Sequence, residues 1–250
     1  MVTSPGVPEI EAGWALFLDL DGTLLDIAPT PDAVRVPPGL IDALAAVAER
    51  LRGAMAIVTG RPRETVDRLL APLTPAGGFG HGAVLRDAAG RIGGAEAIPA
   101  PPADWAETLE ARVAAWPGVI LERKPHGLAL HFRAVPEREK AARAALEALL
   151  ADHGEDFVLL PAHMAYEIRP SAVSKGRAVE ALMRTEPFAG RLPVFVGDDV
   201  TDEEGMEAAR RFGGFGLHVG RDFRRGPDEV RAWLARAATR LPQGSQHAHA

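Results

Sequence analysis

The run Trp14–Leu20 is apolar at every position but Asp19, and it gives way at once to Asp21-Gly22-Thr23. Such a run, broken by carboxylates and a glycine, reads as a buried parallel strand at its carboxyl end. Next, Pro38–Leu51 carries Leu40, Ile41, Leu44, Val47, Ala48 and Leu51 at helical spacing. Ala54–Val58 is a second buried strand, and Pro62, just past Thr59-Gly60-Arg61, opens a helix that runs to Leu70. This β-α-β-α order predicts a parallel sheet with helices on both faces and a ligand site beyond the carboxyl ends of its strands.

Between residues 98 and 170 the pattern changes. A proline-rich stretch leads into a helix at Asp104–Ala115, strands at Val119–Lys124 and Leu128–Arg133, a helix at Pro136–His153, and strands at Phe157–Leu160 and Ala165–Ile168. The order α-β-β-α-β-β suits an antiparallel sheet with its helices on one face. The α/β order then resumes with helix Lys175–Arg184, strand Val194–Val196, helix Thr201–Ala209, strand Phe215–Val219 and helix Asp228–Thr239. The fold class expected is therefore α/β: a Rossmann-like core from 1–97 and 171–250, interrupted by an α+β module at 98–170. Ala71–Gly80 and Asp87–Pro102 carry no pattern that points to a substrate. Pro242–Ala250 reads as a frayed terminus despite His247 and His249.

Composition narrows the chemistry. A net charge of −6 argues against a broad basic face for nucleic acid, whereas a small anion needs only a local pocket. Cysteine is absent, which excludes a thiol nucleophile, a thiolate metal site and disulfides. Met1–Glu11 has no basic residue and no apolar h-region, and no apolar stretch reaches the ~18 residues of a membrane helix. A cytoplasmic chain that binds neither nucleic acid nor membrane is expected.

Four clusters fall at strand ends or helix starts. In Asp19-Leu20-Asp21, Asp19 can attack phosphorus while Asp21, where the chain leaves the strand, exchanges protons with the leaving group and with water. Asp198 and Asp199, with Asp202 and Glu203 close behind, would repel one another without a cation. Mg²⁺ suits carboxylates that share it with a phosphate, so Asp198 with Asp19 are expected ligands, and Asp199 and Asp202 ligands or their supports. Thr201 and Glu203 read as caps of the following helix. Thr59-Gly60-Arg61 offers a hydroxyl and backbone N–H groups as a phosphate cradle, though an N-cap explains it as well. Lys175, opening a helix, either neutralises phosphate and holds Asp19 or is simply exposed.

Together and in this order, the four clusters resemble the haloacid dehalogenase-like (HAD) phosphatase superfamily over residues 12–97 and 171–240. The resemblance implies an aspartyl-phosphate on Asp19, catalytic roles for Asp21, Thr59 and Lys175, and Mg²⁺ on Asp19, Asp198, Asp199, Asp202 and the backbone carbonyl of Asp21. It also implies a cap inserted between the second and third motifs, of the αββαββ type termed C2B.

Within the insertion, Glu122 and Lys124 alternate on one strand and His131 and Arg133 on the next, while Glu167 and Arg169 end the last strand. These residues fit a polyol pocket or a face of cross-strand ion pairs, and their pattern leaves both open. Gly80-His81-Gly82 with Arg86, Glu122-Arg123-Lys124, His131-Phe132-Arg133 and Glu167-Ile168-Arg169-Pro170 resemble the trehalose-6-phosphate phosphatase subfamily. That resemblance implies sugar phosphate as partner and substrate contacts from Gly60, Arg61, His81, Glu122, Lys124, His131, Arg133 and Glu167. Among them, Glu122, Lys124 and Glu167 would meet the distal glucose. A monomer, linked functionally to a trehalose-phosphate synthase, is expected. A phosphatase for another sugar, a hexose phosphomutase and a non-catalytic sugar-phosphate sensor remain alternatives.

Overall fold

The computed structural model describes residues 6–30, 33–94, 98–151, 153, 156–162 and 164–240. His247 and His249 lie outside them, as does the start of Met1–Glu11. Among the described residues, two apolar cores form. The larger gathers side chains from Ile10 to Phe79 and from Ala178 to Ala237, and the smaller only side chains between Trp105 and Ile168.

Over the larger core, strands β1 (Trp14–Leu18), β2 (Met55–Val58), β3 (Ala76–Phe79), β4 (Val84–Arg86), β5 (Ile92–Gly93), β10 (Leu192–Gly197) and β11 (Phe215–His218) form one sheet. Its order is β11-β10-β1-β2-β3-β4-β5, with the first five strands parallel and β4 and β5 antiparallel at the edge. Every residue of β1 and β2 is buried, so helices must cover both faces. Helix α1 (Leu40–Arg50) packs on α7 (Pro227–Arg240), and α5 (Lys175–Met183) packs on α6 (Val200–Arg211) and the β3 side of the sheet. The short α2 (Arg63–Leu69) follows β2.

Strands β3 to β5 lie where the sequence marked none. In β3, Ala-Gly-Gly-Phe lacks the apolar run of a buried strand because its neighbours leave no room. A Cβ on Gly77 would stand 2.2 Å from Ile57 O, and one on Gly78 2.5 Å from the Ala178 Cβ.

In the insertion, β6 (Ile120–Lys124), β7 (Gly127–His131), β8 (Phe157–Ala162) and β9 (Ala165–Pro170) pair antiparallel in the order β6-β7-β9-β8. Helix α3 (Ala103–Val113) packs on β6, and α4 (Glu139–Leu150) on β8 and β9. The predicted helix at 136–153 is shorter, because Pro136–Arg138 forms a 3₁₀ turn before it. Strand β7 also stops early. Phe132 is buried and accepts from Val135 N in a turn, so Arg133 lies past the strand and does not alternate with His131 upon it. Among the described residues, no helix is long and apolar enough to cross a membrane.

Candidate active site

The chain winds outward from β1 through β2 and β3 in one direction, and through β10 and β11 in the other. The carboxyl ends of β1 and β10 therefore flank the point where strand order reverses, the place where open α/β sheets bind ligands. Asp19 follows β1 directly, and its N–H donates to Val196 O of β10 at 2.9 Å. Asp198 follows β10, Thr59 follows β2, and Lys175 is the first residue of α5.

These side chains converge. Lys175 Nζ donates to Asp19 Oδ1 at 2.7 Å and to Asp202 Oδ1 at 2.6 Å, and all three residues are buried. Asp19, Asp198 and Asp202 each present an oxygen within 4.8 Å of the others. Thr23 Oγ1 donates to Asp198 Oδ1 at 3.1 Å. Gly22 makes the approach possible, since at φ 78° any Cβ would fall 2.1 Å from Asp198 Oδ2.

Three carboxylates thus crowd together, and a single ammonium bonds two of them, Asp19 and Asp202. Burial, and then the Asp202 charge, push the Asp19 carboxyl well above its ordinary range and the Asp198 carboxyl up to about 6. Burial alone would lower Lys175, but the charges of Asp19 and Asp202 outweigh it and raise its affinity for a proton. An oxygen-only donor set with this excess of negative charge fits a hard divalent cation such as Mg²⁺.

Beside this cluster, Arg61 Nε and Nη2 bind Asp21 Oδ2 and Oδ1 at 2.5 and 2.7 Å. Arg61 N also donates to Thr59 Oγ1 at 3.2 Å within the turn after β2, and the side-chain pair with Asp21 ties that turn to the end of β1. A cleft of about 680 Å³ opens above, walled on one side by Asp19, Asp21, Thr59, Gly60, Arg61, Lys175 and Asp198. That volume suits a small organic ligand.

The antiparallel sheet of the insertion forms the other wall. Register places Glu122 opposite Ala129, and Ala129 opposite Glu167, so both carboxylates stand in one row across three strands with a methyl group between them. Lys124 and His131 share that face by alternation, while Leu128, Leu130 and Ile168 point the other way into the smaller core. His131 Nε2 lies 2.8 Å from Glu122 Oε2, Lys124 Nζ donates to Glu167, and His81 of the larger unit reaches Glu167 from below. Arg133 lines the same cleft from beyond β7.

Comparison with known proteins agrees with this geometry. The family model for trehalose-phosphatase matches residues 17–234. The chain belongs to the trehalose-phosphatase family. It is 43% identical to a probable trehalose-phosphate phosphatase of Sinorhizobium fredii, over 83% of this chain and 78% of that protein. It is 36% identical to the trehalose-6-phosphate phosphatase of Escherichia coli, over 94% and 91%. Among solved structures, the C-terminal domain of the Candida albicans trehalose-6-phosphate phosphatase superposes with a TM-score of 0.77, at 19% identity over 91% and 92%. The same fold occurs in a phosphatase of the HAD superfamily. The expected fold is thus the one found.

Within this trehalose-phosphatase family member, some residues sit where their motifs suggest and others do not. Asp199 is apart from the three clustered acids. It is the N-cap of α6, accepts from Val200 N at 2.7 Å and forms a capping box with Asp202. The helix starts at Val200, so the cap is Asp199 rather than Thr201. Asp202 braces the loop before the helix, its Oδ2 accepting from the N–H groups of Asp198 and Asp199, both at 3.0 Å. Arg86 lies away from the cleft, bound to Pro75 O at 2.8 Å and Asp67 Oδ1 at 2.7 Å. Two residues were given no role from the sequence. Thr23, inside the first motif, holds Asp198, and Glu204 of α6 accepts from Arg169 Nη2 at 2.6 Å. Only the first carries a sequence signal, its place two residues after Asp21.

Proposed function

We propose that this chain hydrolyses trehalose 6-phosphate to trehalose and inorganic phosphate. The observation that carries the reading is the cluster of buried Asp19, Lys175 and Asp202 with half-buried Asp198 at the strand reversal, facing a polar cap wall across the cleft. Asp19 attacks phosphorus, the bond from phosphorus to the sugar oxygen breaks, and Asp21 supplies that oxygen with a proton. Water then attacks the phosphoryl group on Asp19 while Asp21 takes a proton from it, which releases phosphate, frees the Asp19 carboxylate and returns Asp21 to its protonated form.

Asp19, Asp198 and the backbone of Asp21 would hold Mg²⁺, with Asp202 beside them and Asp199 supporting the loop as the cap of α6, and the ion supplies charge neutralisation for the phosphoryl oxygens when bound. Lys175 keeps Asp19 in place and Thr59, Gly60 and Arg61 receive the phosphate. His81, Glu122, Lys124, His131, Arg133 and Glu167 form the sugar side, where carboxylates and cations together suit hydroxyls that both donate and accept.

The same reading divides the chain into a catalytic core, 1–97 with 171–250, and a cap, 98–170 that chooses substrate. It takes the chain to be a cytoplasmic monomer, supplied with sugar phosphate by a synthase. The test is phosphate release from a panel of sugar phosphates, with Mg²⁺ and with EDTA, for wild type and Asp19→Asn. Trehalose 6-phosphate should be preferred and the substitution should abolish turnover. Activity retained by Asp19→Asn would sink the covalent route.

A further inference from the structure

His81 occupies the left-handed region of backbone space, φ 58° and ψ 20°, which residues with side chains seldom adopt and which concentrates at functional sites. Its main chain is built onto the turn after β2. His81 N donates to Thr59 O at 2.9 Å, and the adjacent Gly80 N donates to Arg61 O at 2.9 Å. Its ring lies on Gly60, where a Cβ would come within 2.5 Å of Nε2 and 2.7 Å of Cε1. Glycine therefore stands between Thr59 and Arg61 because the imidazole fills the space a side chain would need.

The same edge of the ring faces the cap. Nε2 stands 3.3 Å from Glu167 Oε2, and Glu167 also accepts from Lys124. One imidazole thus touches both the turn Thr59–Arg61, whose arginine grips Asp21, and the carboxylate in the middle of the sugar-facing wall. The other ring nitrogen, Nδ1, is buried and has no partner among the described residues. An apolar side chain would pack the same space without an unpaired nitrogen, so what histidine adds is its contact with Glu167.

We propose that His81 is a positioning residue that sets Glu167 and Lys124, and with them the bound sugar, in register with the phosphate-receiving turn and Asp21. This rests on the reading given above and deepens it, since it makes a residue of the core a determinant of how the cap presents the sugar. His81 acts through Glu167, and not through the phosphoryl group.

A double-mutant cycle tests it, with kcat and KM measured for trehalose 6-phosphate. Asn tolerates a positive φ, yet its amide matches Nδ1 and falls short of Glu167, whereas the Gln amide reaches toward the Nε2 position. His81→Asn and Glu167→Gln should each lower kcat/KM at least about tenfold, and the double variant should fall no more than about twofold below the weaker single. His81→Gln should recover at least about fivefold over His81→Asn, a rescue that a purely packing role does not give. Losses that multiply in the double variant, or a Gln variant no better than Asn, would overturn the proposal. If His81→Asn does not fold, His81→Leu, which fills the space without nitrogen, takes its place in the cycle. Wild type is first assayed across the sugar-phosphate panel. Preference for a different sugar phosphate defeats the substrate reading alone, and the cycle then runs on that sugar, where multiplying losses defeat the proposal.

Discussion

Lys175 Nζ lies 2.7 Å from Asp19 Oδ1, with only 4% and 5% of the two side chains exposed. The same nitrogen binds Asp202 Oδ1 at 2.6 Å, so a single ammonium joins the end of β1 to the first turn of α6. The arrangement is expensive to bury and depends on all its members. Removing one charge leaves the others without a counterpart in a medium that screens them poorly.

Lys175→Met should therefore lower kcat at least about 100-fold and destabilise the metal-free protein by about 3 kcal/mol. Millimolar Mg²⁺ should return part of that stability, because a divalent cation replaces the missing ammonium. Thermal melting with and without Mg²⁺ checks the second effect apart from catalysis. A variant as stable as wild type in EDTA would contradict the charge argument.

Mg²⁺ should raise the melting temperature of wild type, by the equivalent of about 2.7 kcal/mol when present at a hundred times its dissociation constant. Asp198→Asn should abolish most of that shift while leaving the metal-free protein no less stable, since it removes one of three crowded carboxylates. Isothermal titration of both proteins with Mg²⁺ measures the difference directly.

On the cap wall, Glu122→Ala and Lys124→Ala should raise KM for trehalose 6-phosphate at least about tenfold. An aryl phosphate, which has no second sugar to reach that wall, should respond far less. Equal losses on the two substrates would remove the cap from substrate choice.

Acid should expose the Glu167 contacts. Burial would raise its carboxyl, but Lys124 and His81 outweigh burial and hold it well below the usual carboxylate range. A folded value lower than the unfolded one contributes stability above the unfolded pKa, about 4.3, and loses it as pH falls toward the folded value. Wild type should exceed Glu167→Gln by about 3 kcal/mol at pH 7, and the gap should narrow steadily below about pH 4.3. Denaturant melts of both proteins from pH 7 to pH 3 would show it. A constant gap would mean that Glu167 is not held by charge.

In the core sheet, Gly77→Ala should cost about 1–3 kcal/mol, because its Cβ meets a backbone oxygen that cannot move without disturbing β2. Urea denaturation gives the value. A change below about 0.5 kcal/mol would mean that β2 and β3 separate readily.

That glycine also marks where the sequence stops being informative. The apolar runs of β1 and β2 were legible because burial on both faces writes itself as an unbroken stretch of large side chains. In β3 the same burial appears as Ala-Gly-Gly-Phe, since the neighbours Ile57 and Ala178 take the volume, and nothing in the residues says so. Similarly, Asp198, Asp199 and Asp202 look alike in sequence. That Asp198 and Asp202 join one cluster, with Asp202 also bracing the loop, while Asp199 caps the helix, comes from where α6 begins.

By itself the sequence determined that a strand-end carboxylate pair, an acidic strand end and a threonine turn would lie beyond the carboxyl ends of a parallel sheet, and it left Lys175 open between that site and solvent. Alternation of elements forces strand ends to the same side, so order along the chain was enough. Only the tertiary structure decided which of those groups share one charged cluster, and that Glu122 and Glu167 stand in one row while His81 bridges core to cap. Those relationships depend on register between strands far apart in sequence and on the path of a single turn, and a displacement of one residue would face every side chain the other way.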